Sequence, residues 1–187
     1  MKNMKNIYLK SLLVNYHPVD LQEKLFKKQM LQFIETYDSC FERSLEVGHI
    51  TASCWLVNLN GTHALLLHHK KLDSWFQLGG HCDGDPNTLA VAIKEAQEES
   101  GIFGITAISP EIFDIDIHLI PENSKEKAHL HYDVRFLLQV NSEEAICQNE
   151  ESKELRWVSK NSNDLPTNTP SILRMHQKWT SIKPIAS

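Results

Sequence analysis

Residues 79–102 read GGHCDGDPNTLAVAIKEAQEESGI, and no other stretch limits the possible folds of this chain as tightly. A double glycine opens a short polar loop, and a segment of helical period follows that carries Glu95, Glu98 and Glu99. In an α-helix, residues three and four apart stand on one face, so this spacing stacks all three carboxylates together. Like charges at that spacing cost an isolated helix about 0.2–0.5 kcal/mol per pair. A sequence that accepts the cost usually recovers it from a bound cation. Carboxylate oxygens without Cys or His company suit a hard ion, Mg²⁺ or Mn²⁺, better than zinc. The segment therefore points to a metal site that handles phosphate. The bland alternative is an acidic, solvent-facing helix.

Composition sets the frame around that segment. A chain of 187 residues with 41% hydrophobic and 23% charged residues suits one soluble globular domain with an appended helical element. Net charge is -5 and the pI is about 6.0, so no basic surface is demanded for a nucleic-acid polymer. Cys40, Cys54, Cys82 and Cys147 are scattered without a CxxC pair, which fits a reducing compartment rather than a disulfide framework. The N-terminal run MKNMKNIYLKSLLVNYHP is interrupted by Lys10, too short to span a bilayer, and followed by no small-residue cleavage site. The expectation is a cytoplasmic protein without a membrane role.

Periodicity gives the elements. Asp20 is a plausible cap for a helix to Tyr37, with Leu21, Leu25, Met30, Phe33 and Ile34 near a helical repeat. This helix would pack on the domain or form a homodimer interface. Asp38 to Gly48 reads as a second short helix ending at the glycine. His49 to Leu59 and His63 to His68 read as strands around Asn60-Gly61, a strong hairpin signal. The acidic helix should run from Thr88 to Ser100. Gly104 to Ile120, His131 to Val140 and Glu154 to Val158 read as further strands, and Thr169-Pro170 opens a last helix to Trp179. The order predicts an α/β sandwich with a mixed sheet: residues 1–48 as a helical extension, 49–187 as the main domain.

The segment from Gly80 to Ile102 resembles the Nudix box, G-x5-E-x7-R-E-U-x-E-E-x-G-U, where U is a bulky aliphatic residue. Pro86 stands where the first Glu belongs and Lys94 where Arg belongs, while Ala96 is small for its position. In the family that Glu and Arg mostly brace the loop against the helix, so losing both reads as one compensated change, with Asp85 and Pro86 as a replacement cap and first turn. The resemblance implies a Nudix α/β/α fold and Mg²⁺ or Mn²⁺ as cofactor. It also implies Glu98 and Glu99 as metal ligands, Glu95 as a ligand or the group that positions water, and the Gly79 carbonyl completing the sphere. An acidic stretch ahead of a Trp-aliphatic strand often lends one more carboxylate, and among Glu150, Glu151 and Glu154 the choice falls on Glu151.

The strand His129 to Phe136 alternates strictly, with His129, His131, Asp133 and Arg135 on one face. Two readings stay open for that face: a polar substrate cavity, where Arg135 would meet an anion, or internal ion pairs and water. Zinc on His129 and His131 has the spacing but lacks a nearby third ligand. His81 would touch substrate phosphate, and Trp75 would pack beneath the loop. The implied activity is hydrolysis of a pyrophosphate bond in a nucleoside diphosphate linked to another moiety. The alternative is a Nudix-fold module that binds a nucleotide without cleaving it.

Overall fold

The computed structural model describes residues 6–124, 126–142, 144–149, 152–163 and 165–182, so Glu151 lies outside the described residues. The chain forms two compact units. One comprises Met1–Ser53, Gly80–Ala92 and Ser109–Phe136; the other comprises Cys54–Gly79, Ile93–Ile108 and Leu137–Ser187.

The first unit begins with α1 (Ile7–Asn15) and α2 (Leu21–Thr36). Periodicity misses α1 because its 9 residues make only about two and a half turns. Leu9, Leu12 and Leu13 form its buried side. α2 starts where the sequence places it: Asp20 Oδ1 accepts the Glu23 N–H at 2.8 Å, satisfying one orphan donor of the first turn. The buried Glu23 carboxylate accepts from the Tyr16 hydroxyl at 2.9 Å and the Val19 N–H at 2.8 Å. Lys27 Nζ donates to the Val14 and Tyr16 carbonyls at 2.8 and 2.7 Å, tying the end of α1 to α2. Drawing Glu23 inward sets the buried side of α2 as Glu23, Phe26, Met30, Phe33 and Ile34. Leu21 and Leu25, expected on that side, fall on the opposite face and are 82% and 48% exposed.

Asp38 to Gly48 is a run of turns, not the expected helix, with N–H to C=O bonds from Cys40 to Tyr37, Glu42 to Ser39, Leu45 to Glu42 and Gly48 to Leu45. Its buried apolar side chains, Cys40 and Phe41, are adjacent, so a helix would gain no apolar stripe. Then β1 (Gly48–Val57) begins. The segment expected as one strand from Gly104 to Ile120 is two, β5 (Ile105–Ala107) and β6 (Asp114–Ile120), with Pro110, which has no N–H for a ladder, between them. β6 pairs antiparallel with β7 (His129–Val140), from Asp114 opposite Arg135 to Ile120 opposite His129. On the outer face of β7, Tyr132 stacks on Phe33 of α2 with ring centroids 3.9 Å apart.

In the second unit β2 (His63–His69) pairs antiparallel with β8 (Ser152–Ser159), from His63 opposite Ser159 to His68 opposite Glu154. Ala64 to Leu67 are buried in sequence, the mark of a strand covered on both faces. The hairpin before β2 is a longer loop than a two-residue turn. Asn58 Oδ1 accepts from the Thr62 and His63 N–H groups at 2.8 and 3.0 Å, and Gly61 takes the left-handed conformation at φ 63°. β3 (Ser74–Phe76) edges β2 and places Trp75 between the His68 ring, 4.9 Å away, and the Arg156 guanidinium, 4.6 Å away. Trp75 thus packs against side chains of β2 and β8. α4 (Pro170–Ser181) buries Ile172, Met175 and Trp179 at helical spacing, and Trp179 meets Trp55 edge-on at 5.9 Å.

β4 (Leu78–His81) and α3 (Thr88–Ser100) complete the elements. The sheet has hydrogen-bonded order β3-β2-β1-β7-β5, with β4 on β1, β6 on β7 and β8 on β2.

Candidate active site

The acidic helix α3 spans Thr88 to Ser100, the bounds its sequence predicts. Its cap is one turn element later than expected: Asn87 Oδ1 accepts from the Ala90 N–H at 3.1 Å, while Asp85 Oδ1 accepts from the Asn87 N–H at 2.8 Å. Pro86 therefore stiffens the chain ahead of the cap rather than opening the helix. Ala92, Ala96 and Ser100 are fully buried, so the small residue at Ala96 lies on the packed face. Gly101 ends the helix at φ 72°, and a Cβ there would stand 2.5 Å from Cys147 Cβ. Only glycine satisfies both demands.

The carboxylates flank that packed face, Glu98 exposed and Glu95 and Glu99 half-buried. Glu99 Oε2 accepts the Gly79 N–H at 2.8 Å, joining the helix to the glycine loop. Lys94 Nζ is 3.7 Å from both Glu95 Oε1 and Glu98 Oε1, with side-chain exposures of 63% for Lys94, 18% for Glu95 and 58% for Glu98. Lys94, the residue that replaces the family's Arg, thus supplies a cation that both carboxylates share. The three side chains offer oxygen donors alone, which fits a hard divalent ion.

In the first unit the polar face of β7 is turned inward. Arg135, 2% exposed, donates from Nε to Asp133 Oδ2 at 2.7 Å and from Nη1 to Asp114 Oδ2 at 3.0 Å, and its Nη2 lies 3.5 Å from Asp116 Oδ2. Thr51 and Ser53 of β1 donate to Asp133 at 2.9 and 2.7 Å. Burial works against the guanidinium's charge, but the carboxylates of Asp133, Asp116 and Asp114 outweigh it and hold its pKa above the ordinary value. Of the two readings of this face, internal ion pairs describe Arg135, whose guanidinium meets three carboxylates. A cavity of about 300 Å³ does lie on the opposite face, lined by α2 residues with Ile117, Leu130 and Tyr132, and holds none of the candidate site residues.

The histidines gather farther along the same inward face. His129 and His131 approach with Nε2 atoms 3.3 Å apart, and His129 Nδ1 donates to the Lys127 carbonyl at 2.8 Å. His49 of β1, 2% exposed, brings its ring centroid to 5.0 Å from His129 and 4.7 Å from His131. His81 stands 5.0 Å from both His49 and His131 by ring centroids, and His118 stands 5.5 Å from His131, with its Nδ1 3.2 Å from Asp116 Oδ2. Burial first, then His81 and His129, pushes the His49 pKa down to about 4. Burial and the surrounding imidazoles push His131 down to about 2, and burial followed by Arg43 lowers His81. These rings are therefore neutral near pH 7. Sequence reasoning named His81, His129 and His131 but missed His49 and His118; alternation in β1 and β6 was the signal that could have found them.

An α/β fold that carries three carboxylates on a helix behind a double-glycine loop is the arrangement expected of a hydrolase of pyrophosphate bonds. The sequence matches the NUDIX domain over residues 48–178, and the chain belongs to that family. Three solved structures share the fold. The Ap4A hydrolase of C. elegans, in a binary complex, superposes with TM-score 0.56 at 17% identity over 70% of this chain and 94% of that one. A NUDIX-family hydrolase from Clostridium perfringens gives TM-score 0.50 at 25% identity, covering 70% and 95%. The MutT protein from Methanosarcina mazei Go1 gives 0.50 at 18% identity, covering 72% and 94%. A comparison with curated proteins returned no match.

Proposed function

We propose that this protein is a Mg²⁺- or Mn²⁺-dependent hydrolase of a nucleoside diphosphate linked to a second moiety, with residues 49–187 as the catalytic domain and residues 1–48 as a helical extension. The observation that carries the reading is the intact triad on α3, with Glu99 joined to the Gly79 loop and Glu95 and Glu98 each 3.7 Å from the Lys94 ammonium. A module that only bound nucleotide would have no need of all three carboxylates.

The residues would divide the work as follows. Glu98 and Glu99 hold the ion, and the Gly79 N–H keeps the Glu99 carboxylate turned toward the loop. Glu95, the least exposed of the Lys94 cluster, is a ligand or the group that orients the attacking water. Glu151 is the assisting carboxylate. A divalent ion bound there would acidify that water and neutralise charge on the phosphate oxygens. Among the described residues no helix is long and apolar enough to cross a membrane, and a cytoplasmic site of action is part of the proposal.

The test is phosphate release from ADP-ribose, nucleoside triphosphates, dinucleoside polyphosphates, nucleotide sugars and isoprenoid diphosphates, with Mg²⁺ or Mn²⁺ and after chelation. Glu98→Gln, at an exposed position, should lower turnover about a hundredfold or more with the fold intact. Binding of a nucleotide without hydrolysis across the panel would support the sensor alternative. Unchanged turnover in Glu98→Gln and Glu99→Gln would remove the triad from the mechanism.

A further inference from the structure

The geometry points to a second metal site, formed by His49 of β1 with His129 and His131 of β7, that takes a borderline transition ion such as Zn²⁺. It is independent of the carboxylate helix in its ligands, because imidazole nitrogen favours the zinc class while carboxylate oxygen favours magnesium.

Three observations converge on it. One potential ligand atom from each of His49, His129 and His131 lies within 4.8 Å of the others. A tetrahedral zinc with nitrogens at about 2.0–2.1 Å holds any two of them about 3.3–3.4 Å apart. The His129 and His131 Nε2 atoms already stand at 3.3 Å, and the His49 nitrogen would have to close in from within 4.8 Å to complete the set.

The second observation is the tautomer. His129 Nδ1 is committed as donor to the Lys127 carbonyl, which leaves the Nε2 lone pair facing His131 Nε2 at 3.3 Å, where it accepts from the His131 ring until an ion takes its place. A metal-bound histidine is ordinarily held in this way, with its other nitrogen donating to a carbonyl or carboxylate. The pairing of His118 with Asp116 next to His131 repeats the device one strand over.

The third is His49. The ring is buried, and neither Nδ1 nor Nε2 has a partner in full hydrogen-bond geometry, the Leu45 backbone making only a weak approach to it. A buried imidazole with both nitrogens unpartnered is costly to keep, and a bound ion would satisfy one of them. Gly48, just before it, lies so close to the Leu130 carbonyl that a side chain there would collide, so the backbone is fitted to bring His49 against β7.

The experiment uses tag-free, full-length protein stripped with chelator and then titrated with Zn²⁺ alone by calorimetry and with Co²⁺ alone by visible absorption. We expect one equivalent of Co²⁺ to give the intense visible bands of a tetrahedral ion, displaced by Zn²⁺. Single changes His49→Ala, His129→Ala and His131→Ala should weaken Zn²⁺ by about a hundredfold or more, while Glu98→Gln leaves it unchanged. Should a variant fail to fold, histidine side-chain ¹⁵N spectra of the wild-type protein decide the matter: Zn²⁺ should shift His49, His129 and His131 and leave the exposed His17 where it was. The proposal is overturned if the wild-type protein takes up no Zn²⁺, if the three alanine variants bind it as tightly, or if the ion shifts other histidines and not these. Loss of hydrolysis in Glu98→Gln with zinc binding intact keeps this site separate from the proposed catalytic one.

Discussion

Replacing Arg135 by Met tests the internal ion-pair reading of β7 directly. The substitution preserves bulk and removes the cation that contacts Asp133, Asp114 and Asp116 at 2.7, 3.0 and 3.5 Å, in a site where Arg135 is 2% exposed. Removing one partner of a buried ion pair costs about 3–5 kcal/mol, because the charges left behind have lost their water and their counter-ion. For a chain of this length each kcal/mol shifts Tm by about 2–4 °C, so a fall of about 6–20 °C is expected. Arg135→Lys should lie between, since one ammonium cannot serve three carboxylates as a planar fork does. Thermal melts followed by circular dichroism measure the shift, and kinetics well below the variant's Tm should return a KM near that of the wild type. A variant with wild-type Tm and a raised KM would refute the reasoning and return Arg135 to a substrate cavity.

Gly101→Ala should destabilise by about 1–2 kcal/mol from its left-handed backbone, with about 1–3 kcal/mol more from the collision with Cys147 Cβ. In a Cys147→Gly background the Cβ collision is gone and the cost should fall, leaving the left-handed backbone and the tight approach to the N and Cα of residue 147, and equal costs in the two backgrounds would disprove the collision. The thiols should separate by environment: burial pushes Cys40 up to about 12 and raises Cys82 well above its ordinary value, and Cys54 is also buried, while Cys147 is exposed. Iodoacetamide at mildly alkaline pH should therefore label one site quickly, Cys147, because the thiolate is the nucleophile. Rapid labelling at two or more sites, read by mass spectrometry, would contradict this packing.

Local chemistry made much of this protein legible in its sequence. The bounds of α3 follow from its period and glycine stop, and Glu95, Glu98 and Glu99 share a face because helical spacing alone puts them there. The Asp20 cap and the Pro170 start of α4 are likewise decided within a few residues of themselves. Tertiary structure decided what those faces meet. Alternation in β7 shows that His129, His131, Asp133 and Arg135 stand together, but not that Asp114 and Asp116 lie across from them or that His49 closes on the imidazoles. The same limit explains α2, where two stripes of apolar residues compete and the buried Glu23 carboxylate, bonded to Tyr16 and Val19, chooses between them. Strand period fixes the side on which a residue points, whereas its partner depends on pairing between distant segments, which only the folded chain specifies.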